Sequence, residues 1–186
     1  VYSIFEKLKI QDFSVKLNNR KVLFGIVETL SLQDNFDKIC IIIDKIDKIG
    51  KDKFIEELKN IDLSKSQIEK LNSVLFFDGS NDDKIKFLKD FLSKSSTGLE
   101  GINEIENLTK LSKEFIFDIN LARGLSYYTS SIFEVILDEK NIGSLCGGGR
   151  YDDLTEIFGY KDISGIGISF GIERIYEIMK ERNLFP

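Results

Sequence analysis

The spacing of hydrophobic residues divides the chain into a helical middle and two flanks with strand periodicity. In the middle, isoleucines recur at offsets of 3, 4, 7 and 10 from Ile39, which places an apolar stripe on one helix face, and Gly50 follows as a stop. The sequences at residues 64–67 and 97–100 fit capping boxes, and Asn81 precedes another apolar stripe as an N-cap. The pattern predicts four to five short helices.

Apolar and polar residues alternate in both flanks, which is typical of β-strands. The predicted strands cover residues 13–17, 115–121, 131–137, 141–146 and 163–169. A short turn joins the third and fourth strands, and so short a connection requires antiparallel pairing. One helix is expected over residues 151–158, and a final helix carries an apolar stripe formed by Ile172, Ile175, Tyr176 and Met179.

These elements predict an α+β protein, in which a mixed or antiparallel sheet with flanking helices is built from both ends of the chain. An all-helical subdomain is inserted between the ends. The expected segments are residues 1–30, the insertion at 31–114, and residues 115–186. The insertion holds 14 lysines, no arginine and 17 acidic residues, whereas four of the five arginines lie after it. This contrast indicates different roles for the segments, and the charged residues of the insertion fit solvated helix faces.

The amino-acid composition limits the kinds of catalytic and metal-binding site that the chain can form. The 186 residues include 26 basic and 31 acidic side chains, giving a net charge of −5, and 42% are hydrophobic, as in soluble globular proteins. No histidine occurs, which excludes histidine-based triads, histidine metal ligands and imidazole acid–base catalysis. The two cysteines define no disulfide framework, so a reducing cytoplasm is expected. The apolar runs are too short to cross a membrane, and the net charge gives no overall attraction to nucleic acid.

The first candidate binding sequence covers residues 121–129, where a strand end leads into Arg123, a glycine, and the adjacent Tyr127 and Tyr128. Arginine presents a rigid fork that binds phosphate or carboxylate through two hydrogen bonds. The chain otherwise prefers lysine, 21 to 5, so an arginine here indicates that fork geometry matters. The alternative is a surface salt bridge beside two packing tyrosines.

Two glycine-rich sequences follow. Gly147, Gly148 and Gly149 weaken a strand unless something approaches its backbone closely, so a ligand lying flat on the strand is expected, with a bulge or bend as the alternative. Residues 165–174 nearly fit a dinucleotide fingerprint, but Gly171 is out of register, so that fold is rejected. Arg174 lies in the first turn of the last helix, where the helix dipole disfavours a cation. A nearby anion, or chance placement, explains it.

The order and spacing of these three sequences closely resemble the two histidine-specific motifs and class II motif 3 of histidyl-tRNA synthetases. Residues 12–21 and 43–50 also resemble that family's segment after motif 2 and the start of its helical insertion domain. The resemblance therefore covers nearly the whole chain. Motif 1, motif 2 and the anticodon-binding domain have no counterpart here, and no initiator methionine is present. We therefore expect a fragment, inactive by itself, of two catalytic-core segments around the insertion domain.

The resemblance implies a class II fold with an antiparallel sheet and flanking helices. It implies a histidine–tRNA ligase, a cytoplasmic homodimer that activates histidine with ATP to histidyl-adenylate and then charges tRNA(His). Arg123 would contact the α-phosphate and the histidine carboxylate. The remaining implied contacts are histidine binding by Tyr127, Tyr128, Gly147, Gly148, Gly149 and Tyr151, and ATP binding by Arg174 and Gly171. Mg²⁺ would be held mainly by phosphate oxygens, with no metal site in the chain itself.

The sequence departs from the family pattern at two positions. Ser126 replaces an acidic residue before the first tyrosine, and Asp153 replaces a glycine. An alternative function is a synthetase-like, histidine-binding regulatory subunit of ATP phosphoribosyltransferase. Arg174 and the insertion favour the enzyme over this subunit. A third possibility is that the isolated piece binds nothing, and we expect weak or no binding of histidine and ATP to it.

Overall fold

The computed structural model describes residues 1–112, 114–123, 127–138 and 143–185. Its elements are α1 (Tyr2–Lys7), β1 (Phe13–Asn19), α2 (Arg20–Thr29), a 3-10 turn (Gln33–Asn35), α3 (Phe36–Ile43), α4 (Ile46–Lys59), α5 (Lys65–Leu75), α6 (Asn81–Phe91), α7 (Ser96–Leu111), β2 (Phe115–Phe117), β3 (Ser131–Leu137), β4 (Cys146–Tyr151), α8 (Asp153–Ile157), β5 (Gly165–Phe170) and α9 (Ile172–Glu181). None of the helices in these ranges combines the length and apolarity needed to cross a bilayer.

The five strands form one sheet in the order β2-β1-β3-β4-β5. Strands β1 and β2 are parallel, and every other neighbouring pair is antiparallel. The parallel pair is possible because helices α2–α7 separate β1 from β2 and provide a long crossover. The predicted α+β fold, with its sheet built from both ends of the chain and helices beside it, is confirmed.

The two faces of the sheet differ in polarity because successive side chains point to opposite faces. On one face, Val15 and Val135 lie opposite each other and pack with α1 and α9 in a hydrophobic cluster. On the other face, Glu134 lies between Lys16 of β1 and Gly147 of β4. This second face therefore carries charged groups over part of its area.

Helices α3–α7 share a second hydrophobic cluster with α2 and with residues at the β2 end of the sheet. Helices α2 and α7 approach closely at a pair of glycines, since a Cβ atom on Gly25 would lie 2.5 Å from the Cα atom of Gly98. The carboxylate of Glu104 on α7 accepts hydrogen bonds from Asn19 Nδ2 at 2.6 Å, from Lys21 Nζ at 2.7 Å and from Ser130 Oγ. These bonds join α7 to the ends of β1 and β3.

Several predicted helix starts differ from the structure. The capping box at Ser64 is present, but the one predicted at residues 97–100 is wrong, because α7 begins earlier and Ser95 caps it. Asn81 is not an N-cap either. Ser80 caps α6, and the Asn81 side chain instead donates to Phe115 O and accepts from Phe117 N. The Asn81 side chain therefore forms hydrogen bonds with the main chain of β2 rather than capping α6.

The hydrophobic periodicity also predicted some helices and strands as longer or more regular than they are. The helix predicted through Ile49 is interrupted after Ile43, and Gly50 lies at a kink within α4 with φ of 75°. Strand β2 covers only the first three residues of the predicted 115–121. In α9 the buried residues are Ile175 and Ile178, whereas Ile172 and Tyr176 of the predicted stripe are exposed. Residues 139–142, at the start of the fourth predicted strand, lie outside the described residues.

Candidate active site

The main chain leading into Arg123 is fixed by a buried amide on β1. Asn18 is fully buried, and its Nδ2 donates to Ile119 O at 3.0 Å and to Leu121 O at 2.9 Å. Both carbonyls belong to the segment between β2 and Arg123. A buried amide that makes two such bonds holds this segment against the sheet. Gly124 and Ser126, which follow in the same motif, lie outside the described residues.

The Arg123 guanidinium makes two short hydrogen bonds through one nitrogen. Nη1 donates to Glu134 Oε1 at 2.5 Å and to Ser144 Oγ at 2.6 Å. The side chains of Arg123 and Glu134 are 33% and 23% exposed, so the ion pair lies at the border between the sheet and solvent. This partial exposure leaves the guanidinium accessible to a bound molecule.

The three glycines of β4 make room for different neighbours. A Cβ atom on Gly147 would lie 2.5 Å from Arg123 Cζ, and one on Gly149 would lie 2.8 Å from Tyr128 Cδ1. On the opposite face, a Cβ atom on Gly148 would lie 1.9 Å from Gly167 O of β5. The pairing of β4 runs through all three glycines on both sides, so no bulge is present within these described residues. The lack of side chains at these glycines makes room for Arg123, Tyr128 and the neighbouring strand. Direct contact between the glycines and a ligand stays a prediction.

The predicted tyrosines lie close to this glycine strand. The ring centroids of Tyr127 and Tyr128 are 4.5 Å apart. Tyr151 points to the same sheet face as Gly147 and Gly149, and its ring lies over Gly165 and Gly167. Burial, followed by the hydrogen bond with Tyr127, raises the pKa of Tyr128 to about 12. At neutral pH Tyr128 is therefore an uncharged phenol that can donate or accept a hydrogen bond.

A contact at the end of β4 holds the tyrosine segment in place. Thr129 Oγ1 donates to Asp152 Oδ2 at 2.7 Å, and Thr129 N donates to Arg150 O at 2.9 Å. Burial of Asp152 favours its protonated form, but the hydrogen bonds from Thr129 and Arg150 outweigh burial and lower its pKa. The ionised Asp152 therefore joins the segment before β3 to the end of β4.

The second predicted arginine reaches the same place from the last helix. Arg174 Nη1 donates to Ser144 O at 2.7 Å. Gly171 precedes α9, and its N–H donates to Leu145 O at 2.8 Å, next to Ser144. Ser144 therefore accepts a hydrogen bond from Arg123 at its hydroxyl oxygen and one from Arg174 at its carbonyl oxygen. The structure brings both arginines together with Gly147 and Gly171, while Tyr128 and Tyr151 lie beside them along the glycine strand.

The sequence reasoning missed Glu134 and Ser144. Glu134 left a usable signal, because it is the one ionisable residue within the largely apolar strand Ser131–Leu137. Ser144 left none, since a serine near glycines is ordinary in a turn. Its role depends on two arginines that lie 21 residues before it and 30 residues after it in the chain.

Comparison with known proteins assigns the family. Residues 1–175 match the sequence model of a family described as histidyl-tRNA synthetase. The chain belongs to the histidyl-tRNA synthetase family. The resemblance inferred from its motifs is therefore confirmed, and it extends through the insertion as well as both sheet-forming segments.

Curated relatives of this chain are named histidine–tRNA ligase. The one from Cytophaga hutchinsonii is 46% identical over the whole chain, and the one from Porphyromonas gingivalis is 44% identical over the whole chain. The chain covers only 43% and 42% of these two proteins. It thus spans about two fifths of the relatives it matches.

Solved structures agree with this family. Histidyl-tRNA synthetase from Nostoc sp. superposes on the whole chain with a TM-score of 0.90 at 32% sequence identity, and the chain covers 46% of it. A Bacillus halodurans protein, described as an ATP phosphoribosyltransferase regulatory subunit/histidyl-tRNA synthetase, aligns with 94% of the chain and 47% of its own. Its TM-score is 0.75 at 21% identity, so this second likeness shows the fold alone.

Proposed function

We propose that this chain is the part of a histidine–tRNA ligase that positions histidine and ATP for adenylate formation. The observation that carries the proposal is the convergence of Arg123 and Arg174 on Ser144, beside the glycine strand of a histidyl-tRNA synthetase fold. Two guanidinium groups within one hydrogen-bonded cluster suit a substrate with several negative charges. ATP and the histidine carboxylate together present such charges.

In the proposed reaction, a carboxylate oxygen of histidine attacks the α-phosphorus of ATP, and the bond to the pyrophosphate oxygen breaks. Negative charge develops on the α-phosphate oxygens during this step. Arg123 contacts the α-phosphate and the histidine carboxylate, and stabilises that charge in the transition state. The histidyl group then passes to the 3′ end of tRNA(His), and AMP leaves.

The tyrosines and glycines account for histidine binding in this proposal. Tyr127 and Tyr128 line the pocket for the side chain, and Tyr151 closes it. Support comes from the position of Tyr128 and Tyr151 over two neighbouring strands on one face, and from the uncharged state of Tyr128 at neutral pH. Gly147 and Gly149 keep side-chain volume away from the face of β4 that carries Arg123, so that Arg123 and the substrate stay near the sheet, while Gly148 contributes by allowing close pairing of β4 with β5.

In this proposal, ATP is bound by Arg123, Arg174 and Gly171. Arg174 lies against the adenine and reaches the triphosphate, and Gly171 leaves space where β5 meets α9. Mg²⁺ would accompany ATP, held mainly by phosphate oxygens, and would shield the phosphate charges.

The segment boundaries belong to the same proposal. Residues 31–114 form an insertion domain, supported by the shared hydrophobic cluster of α3–α7, and residues 1–30 and 115–186 form catalytic-core segments. The intact protein acts in the cytoplasm, where its buried cysteines remain reduced, and it is a homodimer. Exposed apolar side chains such as Phe158 and Ile166 support the presence of a further covering surface.

The regulatory-subunit alternative has less support. The curated relatives at 41–46% identity are named histidine–tRNA ligase, whereas the likeness to a protein also described as a regulatory subunit lies at 21% identity. A subunit that only binds histidine also leaves the arginine contributed by α9 without a phosphate to contact. The chain alone spans about two fifths of its relatives, and we expect it not to charge tRNA.

The test of this proposal is histidine-dependent exchange of pyrophosphate into ATP by the full-length protein that contains this chain. Arg123→Ala should lower the exchange rate by about 100-fold, because one charge-stabilising donor is lost. Lys65→Ala, which removes a lysine whose side chain is 92% exposed, should leave the rate unchanged. An Arg123→Ala protein that exchanges pyrophosphate as fast as the wild type refutes the role. Exchange that does not depend on histidine refutes the ligase.

A further inference from the structure

Among the described residues, the hydrogen-bond partners of Arg123 contact its guanidinium through one nitrogen. Both bonds, to Glu134 Oε1 and Ser144 Oγ, start from Nη1. Nε and Nη2 make no hydrogen bond to any residue within the described ranges. These two nitrogens form the edge of the fork that binds a carboxylate or phosphate through two parallel hydrogen bonds. The described part of the protein thus restrains Arg123 through Nη1 and leaves its Nε–Nη2 edge available to a ligand.

The flat face of the same guanidinium is restrained as well. A Cβ atom on Gly147 would lie 2.6 Å from Nε and 2.7 Å from Nη1, so the group lies directly against the backbone of β4. Glu134 is the cross-strand neighbour of Gly147 and comes to the guanidinium from β3. Rotation about the bonds of Arg123 is therefore opposed by contacts from two strands and from Ser144.

Glu134 occupies a position that is costly without a positively charged partner. It lies between Ile132 and Ile136 on one face of β3, and its side chain is only 23% exposed. A carboxylate that is largely removed from water destabilises the fold unless it is paired. Arg123 supplies such a partner, because its Nη1 forms an ion pair with Glu134 Oε1 at 2.5 Å. Lys16, opposite Glu134 in register on the neighbouring strand, pairs with Asp118 at 2.7 Å and adds a second positive charge on this face.

Ser144 connects the two arginines through a directed set of hydrogen bonds. Its hydroxyl donates to Cys146 O at 2.7 Å, and this bond orients the hydroxyl oxygen as an acceptor for Arg123. Its carbonyl accepts from Arg174. Ser144 is buried, so its position is set by the surrounding chain rather than by solvent.

We propose that Glu134 and Ser144 are positioning residues that hold the Arg123 guanidinium by Nη1, so that its Nε–Nη2 edge faces the anionic groups of the substrates. This proposal rests on the proposed function of Arg123. The residues act through Arg123 and touch no substrate themselves. Pre-positioned donors stabilise developing charge without reorganisation during the reaction, so misplacement lowers the rate of the chemical step more than it weakens binding.

The experiment measures histidine-dependent pyrophosphate exchange by the full-length protein that contains this chain. Ser144→Ala and Glu134→Ala should each lower kcat by about tenfold, the effect of losing a hydrogen bond with a charged partner, while KM for histidine changes by less than about twofold. Ser144→Thr and Glu134→Gln keep an acceptor and should recover most of the rate. The matched surface variants Ser73→Ala and Glu69→Gln should match the wild type, because both side chains are exposed.

A double-mutant cycle separates positioning from general structural damage. In an Arg123→Ala background, Ser144→Ala should cost less than about twofold, because the group that Ser144 positions is already absent. An equal tenfold loss in both backgrounds overturns the inference, since the serine then acts independently of Arg123. Wild-type kcat for Ser144→Ala overturns it too. If Glu134→Ala protein does not fold, the comparison of Ser144→Ala with Ser144→Thr still decides the outcome.

The same measurements distinguish the failure of this inference from the failure of the proposed function. If Arg123→Ala loses activity but Ser144→Ala and Glu134→Ala do not, the ligase assignment stands and the positioning role falls. If the wild-type protein shows no histidine-dependent exchange, the proposed function fails, and the positioning role for that reaction fails with it.

Discussion

Neighbouring glycines of β4 point to opposite faces of the sheet, so the space beside each of them differs. Gly147 and Gly149 face the side of the sheet that carries Arg123 and Tyr128, whereas Gly148 faces β5 and the ring of Phe133. The atoms nearest to an added methyl group at Gly147 belong to the side chain of Arg123. The atom nearest to an added methyl group at Gly148 is a backbone carbonyl, which cannot move without separating β4 from β5. Three identical residues therefore differ in how they tolerate substitution.

We predict that Gly148→Ala destabilises the chain by about 3 kcal/mol, because the added methyl group would lie 1.9 Å from Gly167 O. Gly147→Ala should cost less, about 1 to 2 kcal/mol, because displacing the Arg123 guanidinium weakens its hydrogen bonds to Glu134 and Ser144 but leaves the strands paired. Urea unfolding of both variants, followed by circular dichroism, measures the difference. Equal losses in the two variants would contradict the assignment of the two glycines to opposite faces.

At the scale of the element, helix starts were predictable where the signal is confined to adjacent residues. Ser64 N donates to Gln67 Oε1 at 3.0 Å, and Gln67 N donates to Ser64 Oγ at 3.3 Å, as the capping-box pattern indicates. Helix α7 is instead capped by a buried serine, Ser95, whose side chain accepts a hydrogen bond from the N–H of Gly98. Its start is set by the close approach of α2 and α7, which the local sequence does not report.

Removal of the Ser64 cap tests this local contribution. Ser64→Ala should destabilise the chain by about 1 kcal/mol, because the N–H of Gln67 loses its acceptor at the helix end. Ser66→Ala, two residues into the same helix and exposed, is the matched control and should change stability by less than about 0.3 kcal/mol. Denaturation midpoints report both values. A Ser66→Ala loss as large as that of Ser64→Ala would contradict the capping role, because alanine favours a helix more than serine does and helix propensity alone predicts no loss.

At the scale of the whole molecule, Glu104 connects the helical cluster to the sheet. Burial alone would raise the pKa of its carboxyl, but hydrogen bonds from Lys21, Ser130 and Asn19 outweigh burial and lower it. The ordinary pKa of this carboxyl is 4.5. Because its pKa is lower in the folded state than in the unfolded state, the ionised carboxyl stabilises the fold at pH values above 4.5. That contribution is lost as the pH falls through the lower, folded-state pKa.

The loss of this contact should appear as a pH-dependent difference between two proteins. We expect Glu104→Gln to be less stable than the wild type at pH 7, with the difference shrinking progressively below pH 4.5. Glu100→Gln is the matched control on the same helix, because Glu100 also contacts Lys21 but is 63% exposed. Its effect should stay near zero at every pH. A Glu104→Gln difference that stays constant from about pH 7 to about pH 3 would exclude the linkage.

The sequence alone determined the class of fold, the strand Ser131–Leu137, the order of the motifs and the arginines and tyrosines of the candidate site. These signals lie within a few residues of one another, because strand alternation, helical spacing and capping are local properties of the backbone. The family resemblance depended on the same short motifs. The residues of the candidate site could therefore be proposed from short stretches of sequence.

The tertiary structure decided which of these groups meet and which other residues hold them. The parallel pairing of β2 with β1, the true start of α7 and the second role of Asn81 depend on packing between distant segments. Glu134 and Ser144 likewise became partners of Arg123 only through strand register and the approach of α9. A hydrogen bond between residues far apart in sequence has no local periodicity, so the fold must form before its partners are defined.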